Sequence, residues 1–365
     1  MDFTENRKHE LIVLIFLIFI SGAIAKVPFL FNIDPELFYP RNIGTIVFPT
    51  LITYLSLRYK FNLYIWLIYL VISFITIIFL NLIPGGDNSD TFFLSTTHSL
   101  FFLLSICGLA FIGGIRGNNN KRVDFLHYCG DLIIMSGLLL ISGGLFTAIT
   151  ISLFQLIGFH IEDFYFENVV VWGLPAIPLI ASYLIFNNED LVSKISPIIA
   201  KIFTPFVFLI LFIFSFAIIF SDKNILVDRE LLLMFNIIII AVLALILFSL
   251  SHIKRSNKFQ VILLFSLSLV SIIDNLIVLF AISSRLFDFG ITPNRLALTG
   301  LNLLVSFHLI IISRQLLLLI LKKANTNNVL NGIVRYLPIY IIWTSIVIFL
   351  FPIIFNAYFD SHFLE

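Results

Sequence analysis

The chain has 365 residues, 60% hydrophobic and 12% charged, with a mean hydropathy of +1.08 and a net charge of +1. A soluble domain is roughly 45–50% apolar and about 25% charged, so a soluble enzyme, a disordered chain, a collagen and a disulfide scaffold are all excluded. The balance of 22 basic and 21 acidic residues also excludes an electrostatic footprint for nucleic acid. What remains is a polytopic integral membrane protein.

A helix crosses the hydrocarbon core with roughly 20 apolar residues. In chain order the candidate spans are 11–25, 43–57, 61–83, 92–115, 125–159, 169–186, 202–220, 231–251, 259–284, 296–321 and 336–355. These eleven stretches predict an all-α polytopic transmembrane bundle. The fifth is too long for one straight crossing, so it is expected to tilt, to extend beyond the membrane or to run partly along its surface. Connections are short throughout, which predicts one membrane domain over 1–365, no separate soluble domain, and antiparallel packing of consecutive helices.

Orientation follows from Lys and Arg in alternate connections. The N-terminal segment and the connections near 58–60, 116–124, 187–201, 252–258 and 322–335 hold fifteen basic residues, from Arg7 and Lys8 to Arg335. The opposite connections hold six: Lys26, Arg41, Lys223, Arg229, Arg285 and Arg295. This bias places the N-terminus in the cytoplasm. The acidic Asp87, Asp90, Glu162, Asp163 and Glu167 gather on the outer side.

The first stretch has two readings. Arg7 and Lys8 before an apolar run, with Ala23-Ile24-Ala25 behind it, match a signal peptide whose removal would leave ten spans. Retention as the first anchor helix is the expectation adopted. In the sixth stretch, Pro175 and Pro178 are expected to break or kink the helix. Gly137, Gly143 and Gly144 in the fifth, and Gly113 with Gly117 after the fourth, suit close helix approach.

Signatures of soluble-type chemistry are missing. The sequence has no Walker phosphate loop and no nucleophile elbow, and His9-Glu10 lacks the second histidine of a zinc pair. The seven histidines, among them His98, His127, His160 and His252, show no metal-ligand spacing. No cofactor or metal is implied. Cys107 and Cys129 read as small buried hydrophobes, and the 42 Phe as lipid-facing filler rather than an aromatic-lined pocket.

Polar groups inside spans are more informative, because each costs about 2.5–3.5 kcal/mol at the bilayer centre on insertion scales. Asp274 and His308 fall at matching depth on the ninth and tenth spans, taking about 1.5 Å per residue. They form a candidate midmembrane pair, with Asn275 and Asn302 as neighbours. Asp131 and Arg314 match nearer the inner face and form a candidate ion pair. The alternative for that second pair is that Arg314 snorkels to the headgroups and Asp131 reaches water.

The sharpest local pattern is Phe289-Gly290-Ile291-Thr292-Pro293-Asn294-Arg295. Gly290 permits a positive φ at a turn, Thr292 suits an N-cap and Pro293 the first helical position. The tenth span is therefore predicted to begin here, on the outer face. A cation at a helix start opposes the macrodipole, so Arg295 is expected to pair with Asp288 or another acidic loop residue. In the other reading, Thr292, Asn294 and Arg295 hold an anion or a lipid phosphate at the helix start.

This segment resembles the Tyr-Gly-Leu-Thr-x-x-Arg signature of a bacterial polytopic membrane family catalogued as domain of unknown function 4153. Gly290, Thr292 and Arg295 match it, while Phe289 replaces the Tyr and Ile291 the Leu. The resemblance implies a multi-pass protein of a bacterial cytoplasmic (inner) membrane and brings no activity with it.

The leading functional expectation is a secondary transporter or channel-like carrier of an unknown small-molecule or lipid ligand. The alternatives are a membrane-embedded lipid-processing enzyme, and a scaffold or sensor subunit that holds a membrane protein partner in an envelope complex.

Overall fold

The structure, a computed structural model, describes residues 7–59, 63–84, 89–114, 119–219, 229–251 and 258–355. Lys60, Asp87, Arg116, Gly117, Lys223, His252, Lys254 and Arg255 lie outside the described residues, as do the side chains of Lys194 and Arg229. The described residues form an all-α polytopic bundle without a strand.

The helices in chain order are α1 (Arg7–Phe31), α2 (Pro35–Arg58), α3 (Leu63–Leu82), α4 (Asp90–Ile112) and α5 (Asn119–Leu156). Then come α6 (Glu162–Tyr165), which runs through a π-helical turn at Phe166–Val170 into α7 (Val171–Asn187), α8 (Glu189–Ile219), α9 (Arg229–Ser251), α10 (Lys258–Phe289) and α11 (Pro293–Ile320). The last span comprises α12 (Thr326–Val334), α13 (Pro338–Ser345) and a π-helical turn at Ile346–Leu350. Ten of these segments are long and apolar enough to cross a membrane. Helix α2, 24 residues long, corresponds to the remaining expected span and is not among these ten.

By contact the chain divides into two compact units. One holds Met1–Asp87, Ser99–Asn118 and Tyr128–Val192, and the other holds Asn88–His98, Asn119–His127 and Ser193–Glu365. In the first, α2 packs against α1, α3 and α7, and α1 against α7. Gly22 of α1 lies under the Trp172 ring of α7, so close that a Cβ would overlap it. Arg41 on α2 donates to the carbonyls of Leu80 (3.2 Å), Asn81 (3.0 Å) and Ile83 (3.2 Å), capping the end of α3 with a cation.

Two sequence expectations fail in this unit, and the break expected at the prolines does not occur. A helix runs unbroken through Pro175 and Pro178, and its irregularity lies upstream at Phe166–Val170. Each proline removes one backbone bond, a loss that a helix packed against neighbours absorbs. Gly113 is no packing glycine: at φ +83° it closes α4 in a Schellman arrangement, where the Gly114 N–H reaches the Leu109 carbonyl at 2.9 Å. Gly137, Gly143 and Gly144 meet nothing within 4 Å of an added Cβ. Helix α5, 38 residues and roughly 57 Å long, is largely exposed from Ile133 onward.

The second unit is built on the α10–α11 hairpin, with α9 packed on both helices and α12 and α13 packed on α11. Its core runs through Phe235, Ile239 and Ile246 on α9, Leu264, Leu267 and Val278 on α10, and Val305, Leu309 and Ile312 on α11. Gly300 of α11 carries the Trp343 ring of α13, again too close for a Cβ.

Candidate functional site

The α10–α11 hairpin begins from chemistry visible in the sequence. Gly290 turns the chain at φ +80°. Thr292 Oγ1 accepts the Arg295 N–H at 3.3 Å, and Pro293 occupies the first helical position. Arg295 does not pair with Asp288, which accepts from Ser284 at 3.1 Å. It folds back instead, donating to the carbonyls of Phe289 (2.9 Å) and Gly290 (2.8 Å), with its guanidinium 5.6 Å from the Phe289 ring centroid. A cation that opposes one helix start thereby serves the preceding helix end, where the macrodipole favours it. Asn294 beside it is half-buried.

Along this hairpin the two helices exchange polar groups deep in the unit. Asn275 of α10 donates to the Asn302 carbonyl (2.8 Å) and to Ser306 Oγ (2.7 Å) of α11. Asn302 in turn donates to Asn236 Oδ1 of α9 at 2.6 Å. Ser268 and Ser313 share a hydrogen bond of 2.7 Å between α10 and α11, and Thr204 and Ser249 one of 3.0 Å between α8 and α9. Asn236, Asn275 and Asn302 are all buried.

Asp274 and His308 are buried on the two helices, as their depth predicts, yet they do not touch. Asp274 accepts from Ser215 of α8 at 3.0 Å, and the same hydroxyl lies 2.7 Å from the Leu211 carbonyl. His308 Nδ1 lies 3.2 Å from Tyr340 Oη, and its ring stands 4.8 Å from that of Tyr336. Helical rotation explains the divergence. At 3.6 residues per turn successive side chains stand about 100° apart. Because Asn275 and Ser306 fill the α10–α11 seam, Asp274 turns toward α8 and His308 toward α13.

Tyr336 belongs to an interruption of the last span. The helix stops after Val334 and resumes at Pro338, whose missing N–H cannot continue it. Shorter bonds bridge the gap, with Tyr336 N–H to Ile333 O at 3.2 Å and Leu337 N–H to Val334 O at 3.3 Å. Among the described residues five buried polar atoms on α10 to α13 lack hydrogen-bond partners: Asn275 Oδ1, His308 Nε2, Thr326 Oγ1, Asn331 Oδ1 and Trp343 Nε1.

The residues of the other expected pair fall in different units. Asp131 is half-buried on α5 of the first, and Arg314 is exposed on α11 of the second.

The first unit holds a cluster that sequence reasoning passed over. Glu10 of α1 is fully buried, accepting from Tyr54 (2.6 Å) and from Arg58 at both carboxylate oxygens (3.1 and 3.2 Å). Asn187 at the end of α7 adds a 3.4 Å contact. The Arg58 guanidinium lies 5.3 Å from the Phe186 ring centroid. The cluster joins the start of α1 to the ends of α2 and α7. Lys26, at the other end of α1, donates to the Glu167 carbonyl at 2.7 Å. The signal for the cluster was available: Glu10 and Arg58 fall at the same expected membrane boundary.

No protein-family model, curated protein or solved structure matches this chain. The likeness of the Phe289–Arg295 segment to a family signature therefore rests on its own residues, and functional inference must start from the buried polar groups.

Proposed function

We propose that this multi-pass membrane protein is a secondary carrier of a bacterial cytoplasmic membrane, with its coupling site in the second unit around Asp274, Asn275 and Asn302. One observation carries the reading: a buried carboxylate on α10 whose one hydrogen-bond donor among the described residues, Ser215, is shared with a backbone carbonyl. Ionisable groups inside a membrane are costly and concentrate along ion and proton pathways. A packing role alone is served better by neutral side chains, as the Asn236–Asn302–Asn275 chain illustrates. The interrupted last span beside His308 supports the same reading, because broken helices recur at transport sites. His308 and Tyr340 then act as a second polar element on the far side of α11.

The test is electrical. Wild-type protein reconstituted in vesicles is challenged with panels of amino acids, sugars, nucleosides and carboxylates while solute-induced charge movement is recorded. At least one class should evoke a current, and Asp274→Asn, checked for an unchanged melting temperature, should abolish it. Currents of full size in that variant, or none from wild type with any panel, would refute the proposal.

A further inference from the structure

The buried groups of the second unit are electrically unbalanced. Among its described buried residues Asp274 is the one carboxylate, and no Lys or Arg accompanies it. Its residue is 1% exposed, so water does not solvate it freely. His308, the nearest expected partner, faces Tyr340. An isolated ionised carboxylate in such surroundings is strongly disfavoured unless a positive charge reaches it. One hydroxyl, shared with the Leu211 carbonyl, does not supply that charge.

The neighbouring groups add acceptors rather than donors. Ser271, one turn before Asp274 on the same helix face, spends its proton on the Leu267 carbonyl at 2.8 Å and keeps only lone pairs to offer. Ser215 is likewise committed as a donor. Asp274, Ser271 and Ser215 thus present a carboxylate and two hydroxyl oxygens, the donor set of a hard cation. A single carboxylate calls for a single positive charge, and the burial calls for a small one.

We propose that Asp274 holds a small monovalent cation, Na+ or H+, as part of the resting protein, with the hydroxyl oxygens of Ser271 and Ser215 completing the site. This deepens the carrier reading by assigning the coupling ion to α10, and it is tested by binding rather than transport. A protein that binds the cation but moves no solute would refute the carrier and leave this site standing.

The experiment uses the full chain in detergent. Melting temperature is followed while NaCl replaces choline chloride at constant ionic strength, and infrared difference spectra between wild type and Asp274→Asn report the carboxyl group. In the sodium form the wild-type melting temperature rises with NaCl in a saturable way, and Asp274→Asn loses the rise. In the proton form NaCl has no effect, and the difference spectrum contains the C=O stretch of a protonated acid. The proposal is overturned by an ionised Asp274 carboxylate with no sodium dependence, or by a sodium effect of equal size in the variant. Ser271→Ala, which removes one of the hydroxyl oxygens, should weaken sodium binding severalfold in the sodium form. Unchanged affinity would remove Ser271 from the site and overturn the assigned geometry.

Discussion

Opposite substitutions in the Glu10–Arg58 pair should differ in cost, because its two partners are unequally exposed. Glu10 is inaccessible, whereas the Arg58 side chain keeps 17% of its surface. Arg58→Met strands a buried carboxylate with only Tyr54 and Asn187 to hold it, and breaking a buried pair in this way costs about 3–5 kcal/mol. Glu10→Gln removes the charge but keeps an acceptor for Tyr54, and Arg58 can extend its head group toward water. The loss is then that of charge-assisted hydrogen bonds, about 1.5–3 kcal/mol. In the double variant neither charge is left buried, so its cost should fall below the sum of the singles by about 0.5–3 kcal/mol. Unfolding in mixed micelles, titrated with a denaturing detergent, measures all four states of the cycle. A costlier Glu10→Gln than Arg58→Met, or strictly additive losses, would refute the argument from exposure.

Glycine substitutions should sort by what a Cβ would meet. Gly22→Ala and Gly300→Ala drive a methyl into Trp172 and Trp343, costing about 1–3 kcal/mol in melting experiments. Gly144→Ala, with open space around it, should be neutral or stabilising by up to about 1 kcal/mol. Asn302→Leu strands Asn236 Oδ1, and detergent unfolding should register about 1–2 kcal/mol, near the upper range for interhelical hydrogen bonds in membranes. Thr292→Ala removes the cap of α11 and should lower stability by about 0.5–2 kcal/mol, with Thr292→Ser restoring most of it in the same assay.

What the sequence revealed depended on the range of the cause. The start of α11 was legible because Gly290, Thr292 and Pro293 act on backbone within three residues of themselves. The depth match of Asp274 and His308 was legible for a similar reason, since helical rise and a short connection determine which residues stand level. Their failure to meet was not, because direction depends on which helices flank the hairpin. The α8 and α13 neighbours of these side chains come from distant sequence. Arg295 was misassigned because a carboxylate at position 288 is an obvious partner in one dimension, while the carbonyls at the end of α10 compete only once the chain turns. Small residues mislead in another way: Gly22 and Gly144 look alike as letters, yet one faces an indole ring and the other open space. Arg58 was read as a boundary charge, because sidedness counts register number rather than partnership, and Glu10 only as half of an incomplete zinc pair.

The π-helical turn at Ile346–Leu350 gives the last span one residue beyond what a regular helix of equal rise would hold. The Ile348 carbonyl there accepts Ser95 Oγ of α4 at 3.1 Å. The extra residue also sets the angle at which Phe351 and Phe355 reach Leu94 and Ala297. Losing one residue inside the turn would let the helix close into ordinary winding with both flanks still aimed as before. The same deletion a few positions to either side would swing everything beyond it by about 100°, so this part of the chain has slack for length change that its neighbours lack.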